Sequence, residues 1–273
     1  MSTTSTAVAK QHKVVSQQEW LAARKELLKA EKDFTKQRDA ISAKRRDLPW
    51  VKVEKNYLFE GPNGQQSLAD LFRSKSQLIV YHFMLGPDWT EGCRSCSYLA
   101  DHFDGMLPHL NARDAAFTAI SRATMPEIEA FKQRMGWNFP WVSSNANDFN
   151  FDYHVSFTEQ HRINGKVDYN YGLTEFPLTE APGLSVFYKD AAGEIFHTYS
   201  TYARGLDVMV GTYNFLDFAP KGRDEEGLTF SMAWVRHHDR YDDNYRVDPT
   251  AGYQPPRSPG PTPAATTSKN NLQ

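Results

Sequence analysis

The feature that most restricts the fold is a nearly uninterrupted apolar run, QLIVYHFM, at residues 77–84. A strand that is apolar on both faces is typical of a sheet that is covered on both sides. A second apolar run, AAFTAI, occupies residues 115–120, and a segment with helical periodicity follows each run. Strands that alternate with helices in this way form parallel pairs joined by right-handed crossovers. We therefore expect an α/β protein with an open sheet and residues 77–84 near its centre.

The spacing of apolar residues also predicts the helices of this core. A helix begins at about Cys93, because the apolar residues that follow share one helical face (Leu99, Phe103, Met106 and Leu110). Thr124 and Glu127 have the spacing of a capping box and predict the start of the next helix. Further predicted elements are a hairpin around the Gly-Pro-Asn-Gly turn at 61–64, an antiparallel hairpin at 184–188 and 194–202, and a final helix at 206–218.

A long amphipathic helix is predicted ahead of the core. Ser16 and Glu19 have capping-box spacing, and the helix extends to about Arg46. Its apolar residues recur every seven positions (Trp20, Leu27, Phe34 and Ile41). We expect this stripe to pack on the domain, with a homodimer formed through the same helix as the alternative.

The remaining segments set the domain boundaries. Residues 1–15 are polar, and residues 247–273 are rich in Pro, Thr and Ser, so both ends are predicted to be disordered. Residues 137–179 are polar and aromatic without regular periodicity, and we interpret them as an insertion that can cover a site. One domain over residues 16–246 is expected.

The charge and hydropathy of the chain argue against two classes of partner. The formal net charge is -2, with 31 basic and 33 acidic residues, so the positive surface that nucleic acid requires is not expected. No apolar run approaches the roughly 20 residues that cross a bilayer, and the N-terminal segment does not have the apolar core of a signal peptide. We expect no membrane association and a cytoplasmic location.

The chain contains only two cysteines, Cys93 and Cys96, in a C-x-x-C pair where the central strand leads into a helix. The first turn of a helix favours an anion, so Cys93 is predicted to be a stabilised thiolate and the nucleophile. Cys96 lies three residues on, on the same helical face, and is predicted to be the resolving thiol. Arg94 adds a positive charge that favours the thiolate. This chemistry requires no cofactor.

A metal site is the competing interpretation of the two cysteines. A structural zinc site takes four ligands, and the sequence has no second C-x-x-C and no suitably spaced histidine pair, since His237 and His238 are adjacent. Histidines from elsewhere would have to converge on the cysteines (His82, His102, His154 or His161). We therefore predict no metal site.

The loop before the cysteines resembles the peroxiredoxin pattern. Pro87, Thr90 and Cys93 give P-x-x-T-x-x-C, which is one residue shorter between Pro and Thr than that pattern. The resemblance implies that the Thr90 hydroxyl orients a peroxide against the thiolate and that Arg122, at the end of the second strand, polarises it. Trp89 is a candidate for shielding the pair.

Three longer stretches resemble the bacterial DUF899 family, at residues 48–64, 81–105 and 182–217. That family is grouped with thioredoxin-like predicted dithiol-disulfide oxidoreductases, and the similarity extends over about residues 16–245. The resemblance implies an α/β, thioredoxin-like three-layer fold with a mixed central sheet, a long N-terminal helix and an irregular insertion before the C-terminal hairpin. It implies a redox role for Cys93 and Cys96, although the W-C-G-P-C motif of classical thioredoxin is absent.

Two further predictions follow from the thioredoxin-like fold. Pro182, immediately before the strand at 184–188, occupies the place where such folds present a cis-proline opposite the cysteines. The aromatic residues of the insertion are expected to wall a substrate crevice in part (Phe149, Phe151, Tyr153, Tyr169 and Tyr171).

Three functions remain open from the sequence. The first is thiol-disulfide exchange, in which Cys93 attacks a substrate disulfide, Cys96 releases the product and an external thiol reductant restores the dithiol. The second is a thiol peroxidase, in which a sulfenic acid on Cys93 condenses with Cys96. The third is a non-catalytic or metal-binding module on a thioredoxin-like scaffold.

Overall fold

The computed structural model describes residues 12–241, which form seven α-helices and ten β-strands. The helices are α1 (Gln17–Arg46), α2 (Leu68–Leu71), α3 (Arg94–Ala100), α4 (Phe103–Ala112), α5 (Met125–Arg134), α6 (Phe149–Asp152) and α7 (Gly211–Leu216). The strands are β1 (Val51–Lys52), β2 (Leu58–Gly61), β3 (Gly64–Ser67), β4 (Gln77–His82), β5 (Ala115–Ser121), β6 (Trp141–Ser143), β7 (Val167–Tyr169), β8 (Gly172–Thr174), β9 (Gly183–Lys189) and β10 (Ile195–Tyr202). The disorder predicted for 247–273 and for most of 1–15 lies outside the described residues.

Strand β4, the predicted central strand, lies inside an eight-stranded sheet with the order β1-β10-β9-β4-β5-β6-β2-β3. It pairs in parallel with β5 and antiparallel with β9, while β5 pairs in parallel with β6. Helices α3 and α4 connect β4 to β5, and α5 connects β5 to β6. The predicted mixed sheet and thioredoxin-like α/β fold are confirmed. Within residues 12–241, no helix is long and apolar enough to span a membrane.

The alternation of side chains along β4 produces two separate cores, one on each face of the sheet. Leu78 and Val80 point into a core that also contains Phe149 of α6 and residues of α2. Tyr81, and Phe83 just beyond the strand, belong to the opposite core with residues of α3, α4 and α5. The sheet is therefore the middle layer of three, and the helix that follows β4 packs on the Tyr81 face.

Helix α1 is confirmed, including its capping box: the backbone N–H of Glu19 donates to Ser16 Oγ at 3.3 Å, and that of Ser16 donates to Glu19 Oε2 at 3.0 Å. Its packing was predicted incorrectly. No residue of α1 is buried, and the four apolar stripe residues are 50–65% exposed. The helix has 30 residues and is about 45 Å long, and the described part of the chain leaves its apolar stripe uncovered. A second copy on this stripe stays a prediction.

Two predicted boundaries need correction. The helix expected to run through residues 93–110 is divided into α3 and α4 at Asp101 and His102. The Asp101 carboxylate accepts a hydrogen bond from the indole of Trp137 at 2.9 Å, a long-range contact that local periodicity does not encode. The final helix is also divided, into a 3-10 helix (Ala203–Met209) and α7.

The irregular segment begins later than residue 137. Trp141, Val142 and Ser143 form β6, which belongs to the main sheet, and all three residues are buried. A three-residue strand is too short for its periodicity to be recognised. After β6, the chain contains α6, a 3-10 turn and the small β7-β8 hairpin before it returns to the main sheet at β9.

Candidate active site

The two cysteines lie where the loop after β4 enters α3. Cys93 is the N-cap of this helix, and Cys96 is in its first turn. The backbone N–H of Cys93 donates to the carbonyl of Met84 at 2.9 Å, which ties the loop to the end of the strand. Gly92 lets the chain pass close to the core, since a Cβ there would lie 2.6 Å from the rings of both Phe83 and Phe131. The predicted position of the pair is confirmed.

The surroundings of Cys93 stabilise its thiolate. The Cys96 thiol donates to the Cys93 sulfur, and the backbone N–H groups of Cys96 and Ser95 do the same. With the positive charge of Arg94, these contacts outweigh the effect of burial and lower the pKa of Cys93 from 9.0 to about 7. A large fraction of Cys93 is therefore thiolate at neutral pH.

Cys96 has the opposite character. Burial raises the pKa of the Cys96 thiol well above its ordinary value, and the neighbouring Cys93 raises it further. The phenol of Tyr81 and the backbone N–H of Met84 donate to the Cys96 sulfur and act in the other direction. Cys96 therefore keeps its proton more readily than Cys93, and the roles of resolving thiol and nucleophile stay predictions.

Tyr81 is a site residue that the sequence reasoning missed. Its ring is buried, and burial together with the nearby Cys96 raises the pKa of Tyr81 well above its ordinary value. The phenol consequently stays protonated and donates to the Cys96 sulfur. The alternation along β4 could have identified Tyr81, because it places this side chain on the face that α3 covers.

Both cysteines are buried: Cys93 is 5% exposed and Cys96 is 2% exposed. An apolar cavity of about 290 Å³ reaches the pair from the Cys96 side. Its walls include the side chains of Tyr81, Leu99, Pro182, Leu206, Val210 and Met232. Of the two cysteines, Cys96 lines this cavity and Cys93 does not.

Pro182 and Cys96 both line this cavity, and the peptide bond before Pro182 is trans. The sequence leaves the isomer of Pro182 open, and no cis peptide bond occurs among residues 12–241. The carbonyl of Pro182 accepts a hydrogen bond from the phenol of Tyr169 at 2.7 Å, and the same phenol oxygen accepts from the backbone N–H of Ala203 at 3.0 Å. These contacts hold the trans segment against the start of the 3-10 helix.

Arg122 forms an ion pair with the buried carboxylate of Glu180. Its Nη1 donates to Glu180 Oε1 at 3.0 Å, and its guanidinium lies 4.4 Å from the ring centre of Phe151. Ser156 Oγ donates to the other oxygen of Glu180 at 2.5 Å. Burial raises the pKa of Glu180 to about 7 against the opposing charge of Arg122. The Arg122 charge thus faces Glu180, and its predicted role toward a peroxide stays a prediction.

Trp89 and Thr90 belong to the loop that precedes the cysteines. Trp89 is half-buried against the core that contains both cysteines, and a Cβ at Gly86 would lie 3.0 Å from its indole nitrogen. Thr90 is exposed. The predicted shielding role of Trp89 and the predicted orienting role of Thr90 both stay predictions.

The segment at residues 233–241, here the C-terminal segment, contacts the loop that precedes Cys93. His237 is 1% exposed, and its Nε2 donates to the carbonyl of Gly92 at 2.9 Å. Its Nδ1 accepts from Arg134 at 3.3 Å, an arrangement that suits a neutral ring, and burial lowers the pKa of His237. Because this contact joins residues 145 positions apart, sequence spacing gave no indication of it.

Ion pairs connect the C-terminal segment and α5 to the loop that precedes Cys93. Glu91 accepts from Arg134 at 3.0 Å and lies 2.7 Å from Arg240. Arg134 also donates to both oxygens of Asp239, at 2.9 and 3.0 Å. The residues immediately before Cys93 are therefore held from α5 and from the C-terminal segment together.

Several residues predicted near the site lie elsewhere. Phe149 and Tyr153 pack in the core on the opposite face of the sheet, so they do not wall a crevice at the cysteines. The Tyr171 side chain is largely exposed. Tyr169 does approach the site, through its hydrogen bond to Pro182. Phe149 and Tyr169 belong to different buried clusters, which proximity in the sequence cannot show.

Residues 12–241 bring no group of three or more His, Cys, Asp or Glu side chains into an arrangement that could hold a metal ion. His82 illustrates why: it lies on the face of β4 opposite Tyr81, and its Nε2 is 2.8 Å from Ser185 Oγ. His102 instead accepts a hydrogen bond from the backbone of Thr212 at 3.2 Å.

Known structures with a similar fold include several peroxiredoxins. Peroxidoxin BcpB from Mycobacterium tuberculosis aligns with a TM-score of 0.41 and 13% identity, over 60% of this chain and 95% of the other. A mutant of peroxiredoxin Q from Xanthomonas campestris aligns with a TM-score of 0.37 and 16% identity, over 58% and 90%. A PrxQ mutant from Xylella fastidiosa gives 0.39 and 11%, over 61% and 94%.

Sequence comparison identifies the family. No curated protein matches the chain. A family model described as "Bacterial protein of unknown function (DUF899)" matches residues 9–241, which is most of the sequence. The chain therefore belongs to the DUF899 family of bacterial proteins.

Proposed function

We propose that the protein is a thiol-disulfide oxidoreductase that uses Cys93 and Cys96 as its redox-active dithiol. The observation that carries this proposal is the contrast between two hydrogen-bonded thiols at the start of one helix. Cys93 has a pKa lowered to about 7, while the pKa of Cys96 is raised. A nucleophile that is ionised beside a partner that stays protonated is the arrangement that two-step disulfide exchange requires.

The first step joins the protein to its substrate. The Cys93 thiolate attacks one sulfur of the substrate disulfide, a new S–S bond forms, and the other half of the substrate leaves as a thiolate that takes up a proton. In the second step Cys96 loses its proton and attacks the Cys93 sulfur, which expels the remaining half of the substrate as a thiol. The substrate gains two electrons, and the protein becomes the Cys93–Cys96 disulfide. An external thiol reductant then restores the dithiol.

The proposal is tested by alkylation and mass spectrometry of the protein equilibrated across a series of glutathione redox buffers. The two thiols are expected to disappear together, in a single two-electron transition, with an intramolecular disulfide as the product. Cys93→Ser and Cys96→Ser variants serve as matched controls that cannot form this bond. Independent titration of the two thiols, or glutathionylation of Cys93 without closure of the disulfide, would contradict the proposal.

The pH dependence of alkylation is expected to separate the two thiols. Because the pKa of Cys93 is lowered to about 7, its alkylation rate should rise with pH and reach half its maximum at about pH 7. Cys96 should react only at distinctly higher pH, since its pKa is raised. Peptide mapping after brief exposure to iodoacetamide in the native state measures both rates. Half-maximal alkylation of Cys93 above about pH 8.5, the ordinary range of a free cysteine, would contradict the stabilised thiolate.

A thiol peroxidase is the second candidate, and the burial of both cysteines is the observation that favours it. A peroxide is small enough to reach a residue that is 5% exposed, whereas a folded protein disulfide is not. The Cys93 thiolate would attack one peroxide oxygen, break the O–O bond and form a sulfenic acid, and the other oxygen would leave with a proton. Condensation with Cys96 would release water and form the same disulfide. Consumption of hydrogen peroxide by the reduced protein, abolished in Cys93→Ser, distinguishes this candidate.

A further inference from the structure

The apolar cavity beside Cys96 has a size that suits one small organic group. Its volume is about 290 Å³. A protein cavity of about 150 Å³ holds a benzene molecule, so this one accommodates a group of about six to ten carbon atoms. Cavities that take larger ligands usually exceed about 300 Å³. The cavity therefore fits a small-molecule substituent or a single side chain.

The charged residues around the cavity are already paired or face outward. Both oxygens of Asp207 accept hydrogen bonds from Arg223, at 2.9 and 3.0 Å. The Arg204 side chain is 80% exposed and lies at the mouth. The Tyr213 hydroxyl donates to Glu225. Among the described residues that line the cavity, no buried charge is left to compensate a charged ligand, so placing an ion here would be unfavourable.

Of the two cysteines, Cys96 lines the cavity and Cys93 does not, and Ser95, Tyr81 and Pro182 also line it. Cys93 lies next to this wall, since the Cys96 thiol donates a hydrogen bond to the Cys93 sulfur. A ligand that fills the cavity therefore places the atom next to its apolar group beside Cys96, whose thiol is hydrogen-bonded to the attacking Cys93 sulfur. Leu206, Val210 and Met232 would contact the rest of the ligand.

We infer that the substrate is a small uncharged disulfide whose apolar alkyl or aryl group occupies this cavity, with its S–S bond against the Cys96 wall. This inference rests on the proposed function. The chemistry is the exchange described above: the protein dithiol and the disulfide RSSR give the Cys93–Cys96 disulfide and two molecules of RSH. What the cavity adds is selection by polarity, since a charged R group loses its hydration and gains no partner.

Three disulfides of nearly equal size test the inference: dipropyl disulfide, bis(2-hydroxyethyl) disulfide and cystamine. The rate at which each oxidises the fully reduced protein is measured by alkylation, and each rate is divided by the rate of the same disulfide with free dithiothreitol. The normalised rate of dipropyl disulfide is expected to exceed that of bis(2-hydroxyethyl) disulfide by about tenfold or more, with cystamine slower still.

A variant that narrows the entrance of the cavity provides a second test of the inference. Ser231 is exposed and lines the mouth, so Ser231→Trp narrows the entrance without disturbing a core. This variant is expected to slow dipropyl disulfide about fivefold or more and to change bis(2-hydroxyethyl) disulfide by less than about twofold. Val208→Trp is the matched control, because Val208 is 69% exposed on the same 3-10 helix as Leu206 and does not line the cavity.

The outcomes separate the two proposals. Equal normalised rates for the three disulfides, with a Cys93–Cys96 bond formed each time, would overturn the apolar substrate and leave thiol-disulfide exchange standing. Equal slowing by Ser231→Trp and Val208→Trp would likewise overturn the role of the cavity. If none of the three disulfides forms the Cys93–Cys96 bond, the proposed function fails, and the substrate inference fails with it.

Discussion

Replacing Cys96 with serine is expected to stop turnover and leave the protein bound covalently to its substrate through Cys93. The variant still has a nucleophile, because the serine hydroxyl can replace the Cys96 thiol, whose hydrogen bond lowers the pKa of Cys93 most. The backbone N–H groups of residues 95 and 96 and the charge of Arg94 remain. It cannot carry out the second step, since a hydroxyl does not displace a thiol from a mixed disulfide under these conditions. Intact mass spectrometry after incubation with a disulfide should show the protein plus one half of the substrate.

The complementary variant provides the control. Cys93→Ser should form no such adduct at neutral pH, because burial keeps the remaining Cys96 protonated. Tyr81→Phe in the Cys96→Ser background should still form the adduct, since the hydrogen bond of the Tyr81 phenol is to the side chain at position 96. An adduct on Cys96 in the Cys93→Ser variant, formed as fast as that on Cys93 in Cys96→Ser, would reverse the assigned roles.

The parts of the fold that the sequence predicted correctly are those encoded by local patterns. The continuous apolar run at 77–84 identifies β4 as central because only a strand covered on both faces needs it. Thr124 and Glu127 mark the start of α5 because a capping box is complete within four residues. Cys93 and Cys96 required only the strand, the helix start and their spacing to be placed together.

The parts that escaped prediction depend on contacts between distant residues. The hydrogen bond from His237 to Gly92 and that from Tyr81 to Cys96 both exist only after the sheet has brought separate segments together. The stripe on α1 has the periodicity of a packed helix, but periodicity does not say which surface covers the stripe. The described residues of the domain do not bury it. The aromatic residues of the insertion are predicted to share one crevice, but Phe149 and Tyr153 pack in the core that contains Leu78, whereas Tyr169 packs in a separate cluster with Val155 and Tyr202.

The buried pair of Arg122 and Glu180 gives the largest expected effect on stability, and this effect depends on pH. The ordinary pKa of a glutamate side chain is 4.5, and that of Glu180 in the folded protein is raised to about 7. Between these values the unfolded chain has lost the proton that the native state keeps, so the unfolded state binds fewer protons and stability falls as pH rises from 4.5 to 7. Arg122 limits that fall, because its charge is the main influence that lowers the pKa of this carboxyl.

Arg122→Met is therefore expected to destabilise the protein modestly at about pH 5, where Glu180 is protonated with or without its partner. At about pH 8.5 the loss should reach about 3–5 kcal/mol, the usual result of leaving a buried charge uncompensated. Urea unfolding of the wild type and the variant at both pH values measures the difference. The pH-independent part of the loss comes from the contact between Arg122 and Phe151.

The double variant Arg122→Met/Glu180→Leu isolates the carboxyl, because it should lose the extra destabilisation at high pH and retain only the packing change. If Arg122→Met lowers the free energy of unfolding by the same amount at both pH values, Arg122 does not compensate a buried charge on Glu180. Activity then separates the structural role from the one predicted on the peroxiredoxin resemblance. A folded double variant that still forms the Cys93–Cys96 disulfide at the wild-type rate with hydrogen peroxide would show that Arg122 positions the segment around Glu180 and does not polarise the peroxide.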